Sequence, residues 1–264
     1  MVSVVIPAWG DTPFLERAIA SIPAGPGIEV VVSAPPPDSP DSQLAARMAG
    51  LKRAKGEWIM FLDADDRLAE NAIAALLSAA SDGVDMVCGN MVRIARDGKR
   101  KIRRCSEIGP CDIYNTLCAK LIRKSLFAGI KVDPDIRNGE DLLVVEQLYA
   151  RCSSKVRVDS VVYEYVENGD SITHRQSNES KAIDLLKVDA LLANALPKAE
   201  YSIMHNRIVR DALLLLIRAR EIGSSVWVEA CQRLTEPVTG DVRHGAIKRM
   251  ALGLACLIGK ALAR

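Results

Sequence analysis

Three carboxylates stand within four positions at residues 63–66, directly after a short apolar run. The run, residues 58–62, has the length and the apolar character of a buried strand. Carboxylates at the end of such a strand are costly to bury without a partner, and carboxylate oxygens are ligands that suit Mg²⁺ and Mn²⁺. One interpretation is therefore a metal–diphosphate site that uses Asp63 and Asp65.

A second interpretation needs no ligand. One of these acids can act as the N-cap of the helix that the sequence predicts over residues 68–80. Asp66 is nearest to that helix and is the better candidate, which leaves Asp63 and Asp65 free for a ligand. The residues alone favour neither interpretation over the other.

A second acidic pair, Glu140 and Asp141, directly precedes the helical pattern of residues 142–152. Acids at a helix N-terminus complement the helix dipole, which explains them without any ligand. The alternative is that one of them serves as a general base at the edge of the sheet. Composition alone favours the dipole explanation.

The elements that must position these acids alternate between strand and helix. The predicted strands cover residues 2–6, 29–33, 58–62 and 84–88. The predicted helices between them cover residues 13–22, 42–55 and 68–80. Alternation at this short spacing predicts an α/β fold with a parallel, doubly wound sheet. Ligands of such sheets bind at the carboxyl ends of the strands, which is where residues 63–66 fall.

Residues 89–104 interrupt the alternation. Two short runs, 91–94 and 100–103, flank the turn sequence RDGK at 96–99, which predicts a hairpin. Its Lys and Arg side chains are typical of the solvated face of an edge strand. The less favoured alternative is a basic patch for a lipid-linked or anionic acceptor.

The rest of the chain divides into a short extended part and a helical part. Residues 112–127 mix helical and extended signals, and their state is left open. Short strands are predicted over residues 156–158 and 161–165, and helices over residues 182–196, 203–222 and 227–234. The change of pattern beyond residue 177 predicts two regions, residues 1–178 and 179–264.

Composition narrows the class of protein. The chain has 264 residues, 49% of them hydrophobic, and a net charge of +2, so it can build a core and has no overall attraction to nucleic acid. Its seven cysteines lack metal-site or CxxC spacing and suggest reduced thiols. No segment reads as a secretory signal or a membrane span. We therefore expect a cytoplasmic protein.

The last segment, residues 243–264, is basic and has a broad apolar helical face. This pattern fits a helix that lies on an anionic membrane surface, at the inner face of the membrane. It also fits a C-terminal helix docked on its own domain. Gly253 and Gly259 weaken an isolated helix and favour the docked form.

Several sequence blocks follow one another along the chain: VSVVIPAW at 2–9, ARMAGL at 46–51, AKGEWIMFLDADD at 54–66, AKLIRKSLF at 119–127, GEDLL at 139–143, and YEY at 163–165 with SIT at 171–173. In this order they resemble the blocks of the family-2 glycosyltransferases. The resemblance covers about residues 1–176. It implies the GT-A fold, a Rossmann-like, mostly parallel twisted sheet with flanking helices, here followed by a helical appendage.

The resemblance also implies a reaction. Such enzymes move a sugar, with inversion, from a nucleotide-diphosphate donor to an acceptor hydroxyl, in this case of a carbohydrate or lipid-linked glycan. By family habit the donor is a UDP-sugar, and Mn²⁺ or Mg²⁺ neutralises the departing diphosphate. Asp65 would be the main metal ligand, and Asp63 would bind the ribose, the metal or both. Asp141 would be the base with Glu140 as its positioning partner, which reverses the preference for the dipole explanation.

The remaining residues of the matched blocks would contact the donor. Trp9 would stack on the nucleobase, because an aromatic plane suits that task. Arg47 would lie near the nucleotide, and Lys120 near the donor or acceptor sugar. Pro7 and Ala64 are assigned to the donor side with their blocks. His174 is a further candidate metal ligand, although a surface turn explains it better.

The chain departs from the family at its second predicted strand. The family places an acid there that contacts the uracil, whereas this strand ends in Ser33 and continues into a proline-rich loop. Ser33 would be a weaker partner for the base, or Asp38 would fold back. Met48 in place of the family's Asn is a smaller departure. These changes keep open an alternative, a degenerate GT-A module that binds a sugar nucleotide or a partner without turnover, but the intact acids favour the enzyme.

Overall fold

The computed structural model describes residues 1–10, 12–37, 42–105, 116–168, 176–220 and 224–235. The predictions for Asp38, His174 and the helix at 243–264 lie outside these residues. The chain divides into two compact units, one of Met1–Asp135 with Glu140–Ser171 and one of Ile136–Gly139 with Ile172–Arg264. The predicted division into residues 1–178 and 179–264 stays a prediction.

The first unit is built on one sheet of eight strands. They are β1 (Val2–Pro7), β2 (Ile28–Ser33), β3 (Trp58–Phe61), β4 (Arg67–Leu68), β5 (Met86–Ile94), β6 (Arg100–Arg103), β7 (Lys120–Arg123) and β8 (Lys155–Val166). The order is β2-β1-β3-β7-β5-β8-β4, with β6 paired to β5. Strands β1, β2, β3, β5 and β8 run in one direction, with β7 inserted antiparallel between β3 and β5. The predicted α/β fold with a mostly parallel sheet is confirmed.

The apolar strands lie where their sequences require. Every residue of β1 and β3 is buried, as expected for strands covered on both faces. Their side chains form one core with those of β5, β7 and the flanking helices. The strands that lead into Trp9 and Asp63, β1 and β3, are thus fixed in this core.

Helices cover the sheet and form the second unit. In the first unit they are α1 (Leu15–Ala20), α2 (Gln43–Arg53), α3 (Ala72–Ser78) and α4 (Glu140–Arg151). In the second they are α5 (Asn178–Ala193), α6 (Lys198–Ala219) and α7 (Ser225–Thr235). Ser42 caps α2, because its hydroxyl accepts the Ala45 amide at 3.2 Å. No helix in the described part of the chain is long and apolar enough to cross a membrane.

Two predicted strand pairs merge into long strands. Strand β5 is continuous where two runs were predicted, and so is β8. Their parallel register shifts around Gly89, which has no room for a side chain, since a Cβ there would lie 2.5 Å from Val162. The predicted hairpin is confirmed, with β6 antiparallel to β5 and Gly98 at a φ of +79° in the turn. This hairpin reaches past the end of β3.

Candidate active site

The carboxyl ends of β1, β2 and β3 lie side by side. Pro7 pairs with Ser33 in the parallel register, and the Ala8 amide donates to the Ser33 carbonyl at 2.9 Å. The Leu62 amide donates to Val5, which brings the acidic segment that follows β3 to the same edge. The sheet therefore gathers the predicted donor residues as the chain order required.

Arg47 of α2 joins the two acidic segments. Its side chain is buried, and it donates to Asp141 at 2.5 Å through Nη1 and to Asp63 at 2.6 Å through Nη2. Helix α2 comes this close because Gly50 lies against the sheet, where a Cβ would approach Ser33 and Val5 to 2.5 Å. One guanidinium thus links the candidate donor acid to the candidate base.

Charge explains why this buried cation keeps its proton. Burial disfavours the charged form, but the carboxylates of Asp141 and Asp63 outweigh it and raise the pKa of Arg47 above its usual value. For Asp63, burial raises the pKa, Arg47 opposes the rise, and Asp141 adds to it. The arrangement is an ion-pair triad of a buried arginine and two half-buried carboxylates, in which removal of one partner leaves an uncompensated charge.

Asp141 stands at the N-terminal turn of α4, with both carboxylate oxygens engaged. Oδ1 accepts from Arg47, and Oδ2 accepts the Leu117 amide at 3.0 Å. A carboxylate oxygen has more than one lone pair, so Oδ2 can accept a further hydrogen bond. The side chain is therefore held in place yet able to receive a proton from a hydroxyl.

Glu140, the first residue of α4, is partly buried beside Asp141. Burial and then the charge of Asp141 raise its pKa to about 8. Near neutral pH Glu140 therefore carries a proton. The two predicted roles, base for Asp141 and positioning partner for Glu140, stay predictions.

Asp65 is oriented by a residue from the segment after β8. Its Oδ2 accepts from the Asn168 amide group at 2.5 Å. Among the described residues, no other hydrogen bond reaches the remaining oxygen of Asp65 or Oδ2 of Asp63. No cluster of three or more His, Cys, Asp or Glu ligands forms within the described chain. Mg²⁺ and its analogues commonly use only one or two carboxylates together with water and substrate phosphates, so Asp63 and Asp65 fit such an ion.

The prediction that Asp66 caps the following helix is wrong. Strand β4 intervenes, and α3 begins only after Asn71. Asp66 is buried instead and accepts from the Tyr163 hydroxyl at 2.7 Å and the Val166 amide at 2.8 Å. Burial and then the charge of Asp63 raise its pKa to about 8. The same Tyr163 oxygen accepts the Asp63 amide at 3.2 Å, so Asp66 ties the acidic segment to β8.

Ser33 and Lys120 point into the protein. The Ser33 hydroxyl is buried and donates to the Ala46 carbonyl of α2 at 2.8 Å, so its proton is not directed at a ligand. Lys120 is buried in β7, where its amino group donates to the carbonyls of Thr116 at 2.5 Å and Cys118 at 3.4 Å. In these positions Ser33 holds α2 against the sheet, and Lys120 holds the segment that leads from residue 116 into β7.

The other predicted donor residues lie at the edge of the sheet. Pro7 is buried at the end of β1, and Trp9, two residues later, is half-buried. Ala64 is half-buried between the two acids. Trp9 thus has part of its ring accessible, as stacking on a base requires.

A cavity of about 260 Å³ opens beside the acids. Its walls are formed by Asp63, Asp66, Met91, Arg93, Arg103, Thr116, Cys118, Tyr163 and Tyr165. The wall at Thr116 continues to Leu117, whose amide holds Asp141. The cavity therefore lies within one residue of the group that positions the candidate base.

Several residues that orient the acids of the site were not identified from the sequence. Tyr163 and Asn168 orient Asp66 and Asp65, and Leu117 holds Asp141 through its backbone. For Tyr163 the available signal was its place in the YEY block at 163–165, which resembles the family. A backbone amide leaves no signal in a sequence at all.

Comparison with known proteins agrees with this geometry. Residues 41–131 match the family model "Glycosyl transferase family 2". No protein with a curated function matched the chain by sequence. The match takes in Arg47, Asp63 and Asp65 but stops before Glu140 and Asp141.

Solved structures share the fold at low identity. The S. aureus TarS fragment 1–349 has a TM-score of 0.62 at 17% identity, over 88% of this chain and 79% of that one. The same fragment in complex with UDP-GlcNAc has a TM-score of 0.63 at 16% identity, over 89% and 80% of the two chains. The mannosyltransferase PcManGT from Pyrobaculum calidifontis, in complex with GDP-Man and Mn²⁺, has a TM-score of 0.52 at 16% identity, over 97% and 80%.

The family resemblance inferred from the sequence is thereby confirmed. Identities of 15–17% establish the fold and nothing finer. Residues 41–131 carry the sequence pattern of glycosyl transferase family 2, and the fold around them is that of the GT-A glycosyltransferases.

Proposed function

We propose that this protein transfers a sugar, with inversion, from a nucleoside-diphosphate donor to an acceptor hydroxyl in the synthesis of a polysaccharide or glycoconjugate. The observation that carries the proposal is the buried Arg47, which contacts Asp63 at 2.6 Å and Asp141 at 2.5 Å. Direct displacement needs a group that holds the leaving diphosphate and a base near the attacking hydroxyl. A single side chain here ties the two together.

On the donor side, Asp63 and Asp65 would hold Mn²⁺ or Mg²⁺. When bound, the ion supplies positive charge to the departing diphosphate. Two structural neighbours support this assignment, since the TarS fragment was solved in complex with UDP-GlcNAc and PcManGT in complex with GDP-Man and Mn²⁺. Asn168 keeps Asp65 turned toward that place.

On the acceptor side, Asp141 takes the proton of the attacking hydroxyl. The Leu117 amide and Arg47 fix its carboxylate, so the acceptor does not have to order the base when it binds. The acceptor would be a glycan, free or linked to lipid. Contact with a membrane through residues 243–264 stays a prediction.

A second candidate is a module that binds a sugar nucleotide or a partner without turnover. The position of Ser33 favours this second candidate. The family resemblance implies an acid there that contacts the nucleobase, whereas the Ser33 hydroxyl donates to the Ala46 carbonyl of α2. Trp9 would then provide most of the contact with the nucleobase. We prefer the enzyme, since the acids at 63, 65 and 141 are kept together with the arginine that joins them.

Nucleotide binding tests the donor assignment. We expect calorimetry of the full chain to detect UDP or GDP binding with Mn²⁺ and much weaker binding with EDTA. The substitution Asp65→Asn should lower the affinity in Mn²⁺ about tenfold or more, because it removes an anionic metal ligand. The control Asp82→Asn removes one negative charge in the same way from an exposed acid and should leave the nucleotide affinity unchanged. A nucleotide affinity that changes neither on removal of Mn²⁺ nor in Asp65→Asn would overturn the proposal.

A further inference from the structure

The cavity beside the acids has a cationic wall. Met91 and Arg93 of β5 lie on one face of the hairpin, and Arg103 of β6 is paired with Met91 on the same face. Tyr163 and Tyr165 of β8 are in register with Met91 and Arg93 and complete the wall. Two guanidinium groups and an accessible aromatic ring therefore face one cavity.

The charges on this face are not balanced. Arg93 pairs with Glu167 at 2.5 Å, but within the described residues Arg103 forms no ion pair, although it is exposed. On the opposite face of the same hairpin, Glu164 accepts from Arg100 at 2.6 Å and from Arg67 at 3.0 Å, so both arginines there are in ion pairs. Of these four arginines, Arg103 alone forms no ion pair within the described residues, and it lies on the cavity side.

The position of the wall separates it from the donor. The nucleotide of an open α/β sheet lies at the carboxyl ends of the first strands, here β1 to β3. In the sheet β7 separates β3 from β5, so the hairpin lies about 10 Å from β3 at about 5 Å per strand. The two acids of the cavity do not cancel its charge, since Asp63 is paired with Arg47 and both oxygens of Asp66 accept bonds from inside the protein.

We propose that this cavity binds an anionic group, a phosphate ester, on the acceptor, with Arg103 as its main contact and Arg93 as its second. Tyr165, which is 40% exposed, would pack its ring against the adjoining polyol or sugar. The acceptor is then a phosphorylated polyol or glycan rather than a neutral one. This inference rests on the proposed function, because it assigns the substrate class of the same site.

Binding of sn-glycerol 3-phosphate to the full chain tests the inference, with inorganic phosphate and glycerol as comparison probes. We expect the ester to bind more tightly than either and to weaken as salt is added. Arg103→Gln should weaken binding about tenfold, and Arg103→Lys should restore most of it. The control Arg96→Gln removes the same charge from the exposed turn of the hairpin and should leave binding within about twofold.

Three results would overturn the inference. They are equal binding of inorganic phosphate and the ester, an equal loss in the Arg96→Gln control, and a loss of UDP affinity in Arg103→Gln, which would assign the arginine to the donor. Failure of the proposed function looks different, because UDP and GDP would then fail to bind the unmodified protein at all. Circular dichroism of each variant establishes that it is folded.

Discussion

Arg47 explains at the residue scale why the acids occupy their places. A sequence pattern can locate carboxylates, and it found Asp63 and Asp65 after a predicted strand and Asp141 at the start of a predicted helix. It cannot reveal that a helix residue pairs with an acid 94 positions later in the chain. The role of Asp66 was missed for a related reason, since its partners Tyr163 and Val166 come from the far end of the sheet.

Removal of Arg47 should be costly. We expect Arg47→Met to lower the free energy of unfolding by about 3 kcal/mol at neutral pH, because it leaves two half-buried carboxylates without their cation. The loss should be smaller near pH 5, because burial raises the pKa of Asp63 and its carboxyl takes up a proton there more readily. Urea denaturation measures it, with Lys52→Met on the exposed side of the same helix as a control. An equal, small loss in both variants would contradict the buried triad.

Asp66 and Glu140 should make the protein less stable at alkaline pH. Each has a pKa of about 8 in the folded state, above the value of about 4 in an unfolded chain. Between these values the folded state binds more protons, so the free energy of unfolding falls as the pH rises, by up to about 1.4 kcal/mol per pH unit for each group. Stability measured in EDTA from pH 5 to 8.5 should therefore decline, and Asp66→Asn should flatten the decline. The same slope in that variant would refute this assignment.

The elements show which parts of the fold a sequence pattern encodes. The apolar runs of β1 and β3 and the turn of the hairpin were predicted, because each depends on residues close in the chain. The lengths of β5 and β8 were not, since their pairing across the sheet joins segments that look separate. The start of α3 was misplaced because β4, only two residues long, leaves no periodic signal.

Gly50 should be essential to the approach of α2. We expect Gly50→Ala to cost about 1–3 kcal/mol, because its methyl group would meet Ser33 and Val5 at 2.5 Å in a packed interior. Displacement of α2 should also weaken UDP binding through Arg47. Gly25→Ala, where a Cβ meets nothing within 4 Å, is the matched control. Unchanged stability and affinity in Gly50→Ala would show that the helix has room to move.

At the scale of the whole molecule, the first unit carries every candidate catalytic and donor residue that the structure describes. The second unit is a helical assembly with its own buried network, in which Asp189 accepts from His205 at 2.9 Å and Arg233 at 3.3 Å. The fold class followed from the alternation of strands and helices. The cavity could not be predicted in this way, because four separate parts of the chain form it. Only their packing brings the two arginines to the acids.

The most direct test of the account is hydrolysis of the donor by the unmodified protein and by Asp141→Asn. Each protein would be incubated with Mn²⁺ and the UDP- or GDP-sugar that it binds, and the anomeric form of the released sugar would be followed by NMR. We predict release of the inverted anomer, a rate about 10²–10⁴-fold lower in Asp141→Asn, and donor affinity within about threefold of the original. Equal rates in the two proteins, or release of the retained anomer, would contradict an inverting transferase with Asp141 as its base.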